Sequence, residues 1–298
     1  MPAPPAPVIT GPAVAYADRD EPFRYLISAS SDPVLFSARG LPDGLRLDRR
    51  SGLISGEPAE TGRFTVVLTA ANATASVSAP LPLTVGTPPP EPWSYGDVGD
   101  VVLDERRSGT FGVAAVHAPG ITTHDGGVFT VRGAGPDLNV NGQGWTGQFA
   151  RVPITGDRTL TARVVSRTGA VTADRVGLLM AKSTSPFDQA AGAVVSSTGS
   201  AEAGTPQLLL RKTVAGATTT IAGSGPVRLP LWLRLTRTGT TFTADVSSDG
   251  LTWTPIGQGT IPAFGDAPYY AGLVVCSHDP AAQTTALFDH VSVTQTTS

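Results

Sequence analysis

The sequence has one cysteine, Cys276, in 298 residues. No disulfide can form within the chain, so no covalent framework holds the fold together. The setting of that cysteine, "AGLVVCSH", is an apolar strand and predicts an inert buried thiol. Charge is also scarce. Charged residues make up 15% of the chain and the net charge is -3, too little to draw it to nucleic acid or to an anionic membrane surface. No apolar run reaches the roughly 20 residues of a membrane-spanning helix. The four histidines, His117, His124, His278 and His290, are scattered and show neither H-E-x-x-H nor a close Cys/His spacing. There is no G-x-S-x-G and no glycine-rich phosphate loop leading into a helix. The first residues, "MPAPPAPVITGP", lack the charged and apolar regions of a signal peptide. They read as a Pro-rich tail, residues 1–7, on a fragment or mature form of a secreted chain.

Glycine (34) and proline (26) are plentiful while the apolar share is an ordinary 40%. Thr and Val favour strands, and the mixture suits many short strands joined by tight turns. No stretch shows a helical period. The fold class is therefore all-β: a small sandwich followed by a larger one.

The stretch "GTPPPEP" (86–92) marks a boundary, because consecutive prolines hold an extended conformation and supply no amide donors. It divides an N-terminal domain, residues 8–86, from a Pro-rich linker, 87–92, and a second domain, 93–298. In the first domain, Pro42-Asp43-Gly44 and Ser51-Gly52 are turn chemistry. Phe64, Val66, Leu68 and Ala70 then fall on one strand face. The second domain carries about a dozen alternating segments, too many for one open sheet, which predicts two packed antiparallel sheets.

Within the second domain, "WLRLTRTGTTFTADVSSDGLTW" (232–253) reads as a hairpin. Leu233 and Leu235 pair with the Phe242 face in the core. Arg234 lies opposite Asp245 across the pair, and Thr238-Gly239 and Ser248-Asp249-Gly250 turn the chain. The two tryptophans sit at strand ends and read as structural packing.

Both halves resemble known families. "LPDGLRLDRRSGLISGEPAETGRFTVVLTA" resembles the cadherin-like Ig domains of bacterial secreted proteins. That likeness implies a spacer, with some relatives binding calcium at their ends, and "DRDE" (18–21) reads either as a calcium loop of clustered oxygens or, the reading favoured, as a solvated charged turn. "WLRLTRTGTTFTADVSSDGLTW", "GGVFTVRGAGPDL", "PITGDRTLTARV", "VGLLMAKSTSP", "YYAGLVVCSHDP" and "LFDHVSV" together resemble concanavalin A-like jelly-roll domains attached to bacterial secreted glycoside hydrolases. Lys182 departs from that pattern, standing where relatives often carry Arg, and lysine lacks the bidentate fork. The resemblance implies a secreted, extracellular protein with a polysaccharide or glycan as partner and a catalytic domain in the same chain. It requires no cofactor, and structural calcium held by Asp97 and Asp289 is an expectation. The function it implies is non-catalytic carbohydrate binding or targeting. A structural or adhesive surface module without a sugar site, and a glycoside hydrolase or lyase with dispersed residues, stand as alternatives.

Candidate binding residues come from "DLNVNGQGWTGQFARVPI". If Ala150 and Val152 face inward, Trp145, Phe149 and Arg151 form an outward platform, with Asn139, Asn141 and Gln143 in the adjoining loop. A bulge at Gly142 or Gly144 instead resets the alternation and buries Trp145. His278, at a strand end, is a further hydrogen-bonding candidate. Arg163, Lys182, Arg211 and Arg234 come from separate strands. They form either a basic strip for an acidic sugar or a solvated face paired with carboxylates. No strand shows the alternating acids a jelly-roll glycosidase uses, so no catalytic residue is assigned.

Overall fold

A computed structural model of the chain describes residues 4–99, 120–138, 144–169, 172–223 and 225–296. Two compact units divide them, one ending at Pro88 and the other beginning at Pro89.

Among its described residues, the smaller unit has seven strands. They are β1 (Ala15–Asp18), β2 (Phe23–Leu26), β3 (Leu35–Arg39), β4 (Leu45–Leu47), β5 (Leu53–Gly56), β6 (Gly62–Ala71) and β7 (Ser76–Gly86). One sheet has the order β1-β7-β6-β3 and the other β2-β5-β4. Pairing is antiparallel except for β1 with β7. The alternation of β6 works as the sequence requires: Val66, Leu68 and Ala70 are buried among Ile27, Tyr25, Ile54, Leu81 and Leu83. The turn glycine Gly44, at φ 93°, lies so close to the chain leaving β5 that an added Cβ would meet the Glu57 carbonyl at 1.9 Å. No side chain fits there.

Among its described residues, the larger unit has fifteen strands. Its first eight are β8 (Ser94–Val98), β9 (Ile121–Asp125), β10 (Val128–Gly135), β11 (Gly147–Ile154), β12 (Arg158–Thr168), β13 (Arg175–Ala181), β14 (Ala190–Ser197) and β15 (Ala203–Arg211). The remaining seven are β16 (Thr218–Ala222), β17 (Val227–Arg228), β18 (Leu231–Thr238), β19 (Thr241–Ser247), β20 (Thr254–Thr260), β21 (Tyr269–Cys276) and β22 (Asp279–Gln295). They build two sheets, a seven-stranded one in the order β20-β19-β18-β12-β22-β10-β9 and an eight-stranded one in the order β16-β15-β14-β13-β21-β11-β8, with β17 paired to β15. A single 3-10 turn, Pro262–Phe264, is the only helical element among the described residues. The whole is all-β.

Between the sheets lies one continuous core. Leu160, Ala162, Leu233, Leu235, Phe242 and Phe288 meet Val176, Leu178, Met180, Leu208, Leu210 and Leu273. The eight-stranded sheet has a second apolar layer on its other face. Val98, Leu138, Trp145, Phe149, Leu179, Ala190, Val194, Leu209, Val274 and Cys276 cluster there. Its central strands are consequently buried on both sides, and β13 and β14 are buried at every residue. Strands buried on both faces read as continuous apolar runs, as "VGLLMA" and "AAGAVV" do.

The hairpin of β18 and β19 has the expected register. Leu233 lies opposite Val246, Leu235 opposite Ala244, and Arg234 opposite Asp245, with Nε 3.1 Å from Oδ2. Each tryptophan beside it carries a guanidinium. Arg234 stacks 4.2 Å above the Trp253 ring, and Arg163 lies 5.9 Å from Trp232, which also tilts against His290 at 5.1 Å. Gly250 closes the turn at φ 75°, and a Cβ on it would sit 2.8 Å from the Trp232 ring. The Asp249 carboxylate accepts amides from Leu251 and Thr252, which hold its pKa down at about 2. Turn, tryptophan and strand pair thus fix one another.

Candidate functional site

Strand β15 places the feature that stands out. In "QLLLR", Leu208 and Leu210 enter the inter-sheet core, so Leu209 and Arg211 point to the other face. Arg211 is the last residue of the strand, opposite Ala190 on β14 and Thr218 on β16. It is 2% exposed. Neither Nη1 nor Nη2 has a hydrogen-bond partner among the described residues. Burial alone accounts for the direction of its pKa, which is downward, with no carboxylate opposing it.

Arg211 lines a cavity of about 20 Å³ together with Leu138, Trp145, Leu179, Ala190, Gly192, Leu209 and Thr218. Two other residues of that lining hold buried polar atoms without a partner, Trp145 through Nε1 and Thr218 through Oγ1. Four unsatisfied atoms thus belong to three residues around one small space. Buried donors are nearly always paired, because an unmade hydrogen bond costs about 1–3 kcal/mol. The rest of the described lining is apolar and includes no carboxylate.

The same face carries two further polar groups. Arg151, on β11, is partly buried, donates to the Phe149 carbonyl at 3.1 Å and lies 5.7 Å from the Tyr270 ring. At the strand ends, the Arg175 guanidinium pairs with Asp137 and reaches Gln207 Oε1 at 3.4 Å. His278, 40% exposed and at φ 61°, is 3.9 Å from the other Asp137 oxygen. Cys276 is fully buried beside them. Its Sγ donates to the Gly135 carbonyl at 3.2 Å, and burial pushes the thiol up to about 12, which makes it inert as a nucleophile at neutral pH.

Against these positions, the expected open platform of Trp145 and Phe149 needs correcting. Ala150 does face the inter-sheet core, and Phe149 and Arg151 do share the opposite face. That face is covered. Trp145 is 2% exposed and Phe149 0%, packed edge to face with centroids 5.6 Å apart. The backbone amide of Trp145 donates to the Pro186 carbonyl at 2.9 Å. Neither ring is free to stack on a sugar. Asn139, Asn141 and Gln143 lie outside the described residues. His278 is at a strand end beside Asp137, apart from the residues that line the cavity.

The basic strip also divides. Arg163 and Arg234 belong to the seven-stranded sheet and pair with Asp289 and Asp245. Lys182 donates to the Ala263 carbonyl at 2.9 Å, and Arg211 stands without a carboxylate. For calcium, Asp97 accepts the Gly120 amide at 2.8 Å. Asp289 is clamped by Arg163, with Nε–Oδ1 at 2.8 Å, and that hydrogen bond with the adjoining charge holds its pKa at about 2. No group of three or more His, Cys, Asp or Glu suited to a metal ion occurs among the described residues. The one carboxylate on the strands of the eight-stranded sheet is Asp97, paired in register with Gln148 on the core side.

Sequence reasoning included Arg211 only in a scattered strip and missed its cavity. The signal was present in "QLLLR": three consecutive leucines mark a strand covered on both faces, and a charge closing such a strand must be buried.

Residues 6–86 match the family described as "Putative Ig domain". Among curated proteins nothing matches the chain. Solved structures overlap it in part. A "putative alpha-galactosidase/melibiase" from Bacteroides fragilis is 34% identical, covers 27% of this chain and 17% of its own length, and has a TM-score of 0.26. A functionally unknown protein from Saccharomyces cerevisiae is 16% identical over 60% of this chain and 93% of its own, with a TM-score of 0.47. A glycoside hydrolase family protein from Mycobacterium thermorestibile is 13% identical over 70% of this chain and 95% of its own, with a TM-score of 0.42. Overlap at this level leaves the function to the chain's own residues.

Proposed function

We propose that the larger unit is a glycan-binding module and that its binding site is the Arg211 cavity on the outer face of the eight-stranded sheet. It serves as the non-catalytic targeting part of a secreted protein that acts on polysaccharide, and the smaller unit is the spacer. One observation carries this reading: four buried polar atoms without partners, on Arg211, Trp145 and Thr218, surround one apolar-floored cavity. Saccharides offer what such a place lacks, oxygen acceptors on a scaffold whose C–H faces suit leucine and alanine. The likeness of 93–298 to jelly-roll domains attached to glycoside hydrolases agrees with it.

At about 20 Å³ the cavity has room for one water or one small substituent, not for a pyranose ring. The ring stays outside and a single protruding group enters. Affinity from one such contact is modest, so an oligosaccharide must also touch the surrounding surface.

A glycan panel tests the reading. Binding by the wild type, lost in Arg211→Met with an unchanged circular dichroism spectrum, is the expected result. Silence toward every glycan points to a structural module instead, and release of reducing sugar from a polysaccharide identifies an enzyme.

A further inference from the structure

The guanidinium of Arg211 raises a requirement that a neutral sugar does not meet. Arginine stays protonated at any physiological pH, so burial cannot be relieved by loss of its proton. A buried charge is tolerated when it is paired. Among the described residues, no aspartate or glutamate lines the cavity. Both terminal nitrogens lack a hydrogen-bond partner among the described residues, and Trp145 Nε1 and Thr218 Oγ1 add two more such groups. A guanidinium with two open N–H positions matches the two oxygens of a carboxylate, which accept in a parallel, bidentate pair.

We infer that the group this cavity takes is a carboxylate, and that the ligand is an acidic saccharide carrying it as the protruding substituent. The inference rests on the glycan-binding reading and narrows it. Size agrees: a carboxylate is a small planar group, while the ring bearing it remains at the mouth. The apolar lining of Leu138, Leu179, Leu209 and Ala190 lowers the local dielectric, which strengthens the charge pair. Hydroxyl-only sugars satisfy the donors but leave the positive charge uncompensated.

The test uses the full chain and two matched sets of probes. One set holds oligosaccharides of galacturonate, glucuronate, mannuronate and guluronate. The other holds the same oligosaccharides with their carboxyls methyl-esterified, together with the neutral galactose, glucose and mannose oligomers. Calorimetric titration is expected to show at least one acidic oligosaccharide binding tenfold or more tightly than its ester, equivalent to about 1.4 kcal/mol. Arg211→Met removes that preference, and Arg211→Lys retains part of it, since a point charge survives without the fork. Melting curves of both variants establish that they are folded. Equal binding of acid and ester, still dependent on Arg211, overturns the carboxylate inference and leaves glycan binding standing. Retention of the acid preference in Arg211→Met removes the cavity from the account. Failure of every oligosaccharide in both sets overturns the glycan-binding reading itself.

Discussion

Arg167 and Arg211 lie in the same unit and are each 2% exposed, yet their surroundings are opposite. Arg167 faces Asp174 at 3.1 Å and donates to the carbonyls of Ser200 and Ala203, both at 2.7 Å. Asp174 in turn accepts from Thr284 at 3.0 Å. This network fastens the loop after β14 to β12, and of the Arg167 guanidinium only Nε stays outside it, without a hydrogen-bond partner among the described residues. Arg211 has burial of the same degree with none of those partners. A charge buried with its partners is part of the fold, whereas a charge buried without them is a position the fold leaves to a ligand.

The largest effect that bears on this contrast comes from Asp174→Ala. It leaves Arg167 uncompensated in a dry interior and costs about 3–5 kcal/mol, which lowers the melting temperature of the larger unit by roughly 10 °C. Differential scanning calorimetry reads it directly, and a loss below about 1 kcal/mol shows that water reaches the pair.

The same rule applies to carboxylates. Asp18, in the smaller unit, is partly buried, one of its oxygens has no partner, and burial together with the neighbouring Glu21 raises its pKa to about 7. Its folded pKa lies above the unfolded value near 4, so the native state binds the extra proton. Stability is therefore complete below about pH 4 and falls as the pH rises toward 7. Asp18→Asn abolishes that slope and gains about 2 kcal/mol at pH 8 in denaturant titrations. A flat wild-type profile between pH 4 and 7 contradicts it.

Asp289 is the paired counterpart, with a smaller effect. Arg163 holds its pKa at about 2, below the unfolded value, so its contribution is present above about pH 4 and is lost as the pH falls toward 2. Asp289→Asn costs about 1 kcal/mol at pH 7, the upper end for a partly exposed pair, and that cost shrinks to nothing near pH 2. An acid profile the same as the wild type's at every pH discounts the pair.

Much of this architecture was legible. The β18–β19 hairpin could be read down to Arg234 facing Asp245, because alternation and two glycine turns leave one register that buries Leu233, Leu235 and Phe242 together. Tyr269 and Tyr270 likewise split, with one ring in the core and one on the outer face. The covering of the outer face was the part misjudged. Period 2 tells which residues share a face, not whether another layer lies on it. Here "QLLLR", "VGLLMA" and "GLVVC" carried the missing information, since residues of both parities are apolar. Trp145 precedes β11 in a loop, where strand alternation has no authority over its direction.

The unliganded stability of Arg211→Met tests the central claim most directly. Methionine fills a similar volume without charge, and the account holds that the Arg211 terminal nitrogens have no partner among the described residues. Thermal melting of the variant at pH 7, without any glycan, is then expected at or a few degrees above the wild-type temperature. A drop approaching that of Asp174→Ala would show that Arg211 is held by the protein itself, and that the cavity beside it is a packing gap and not a binding site.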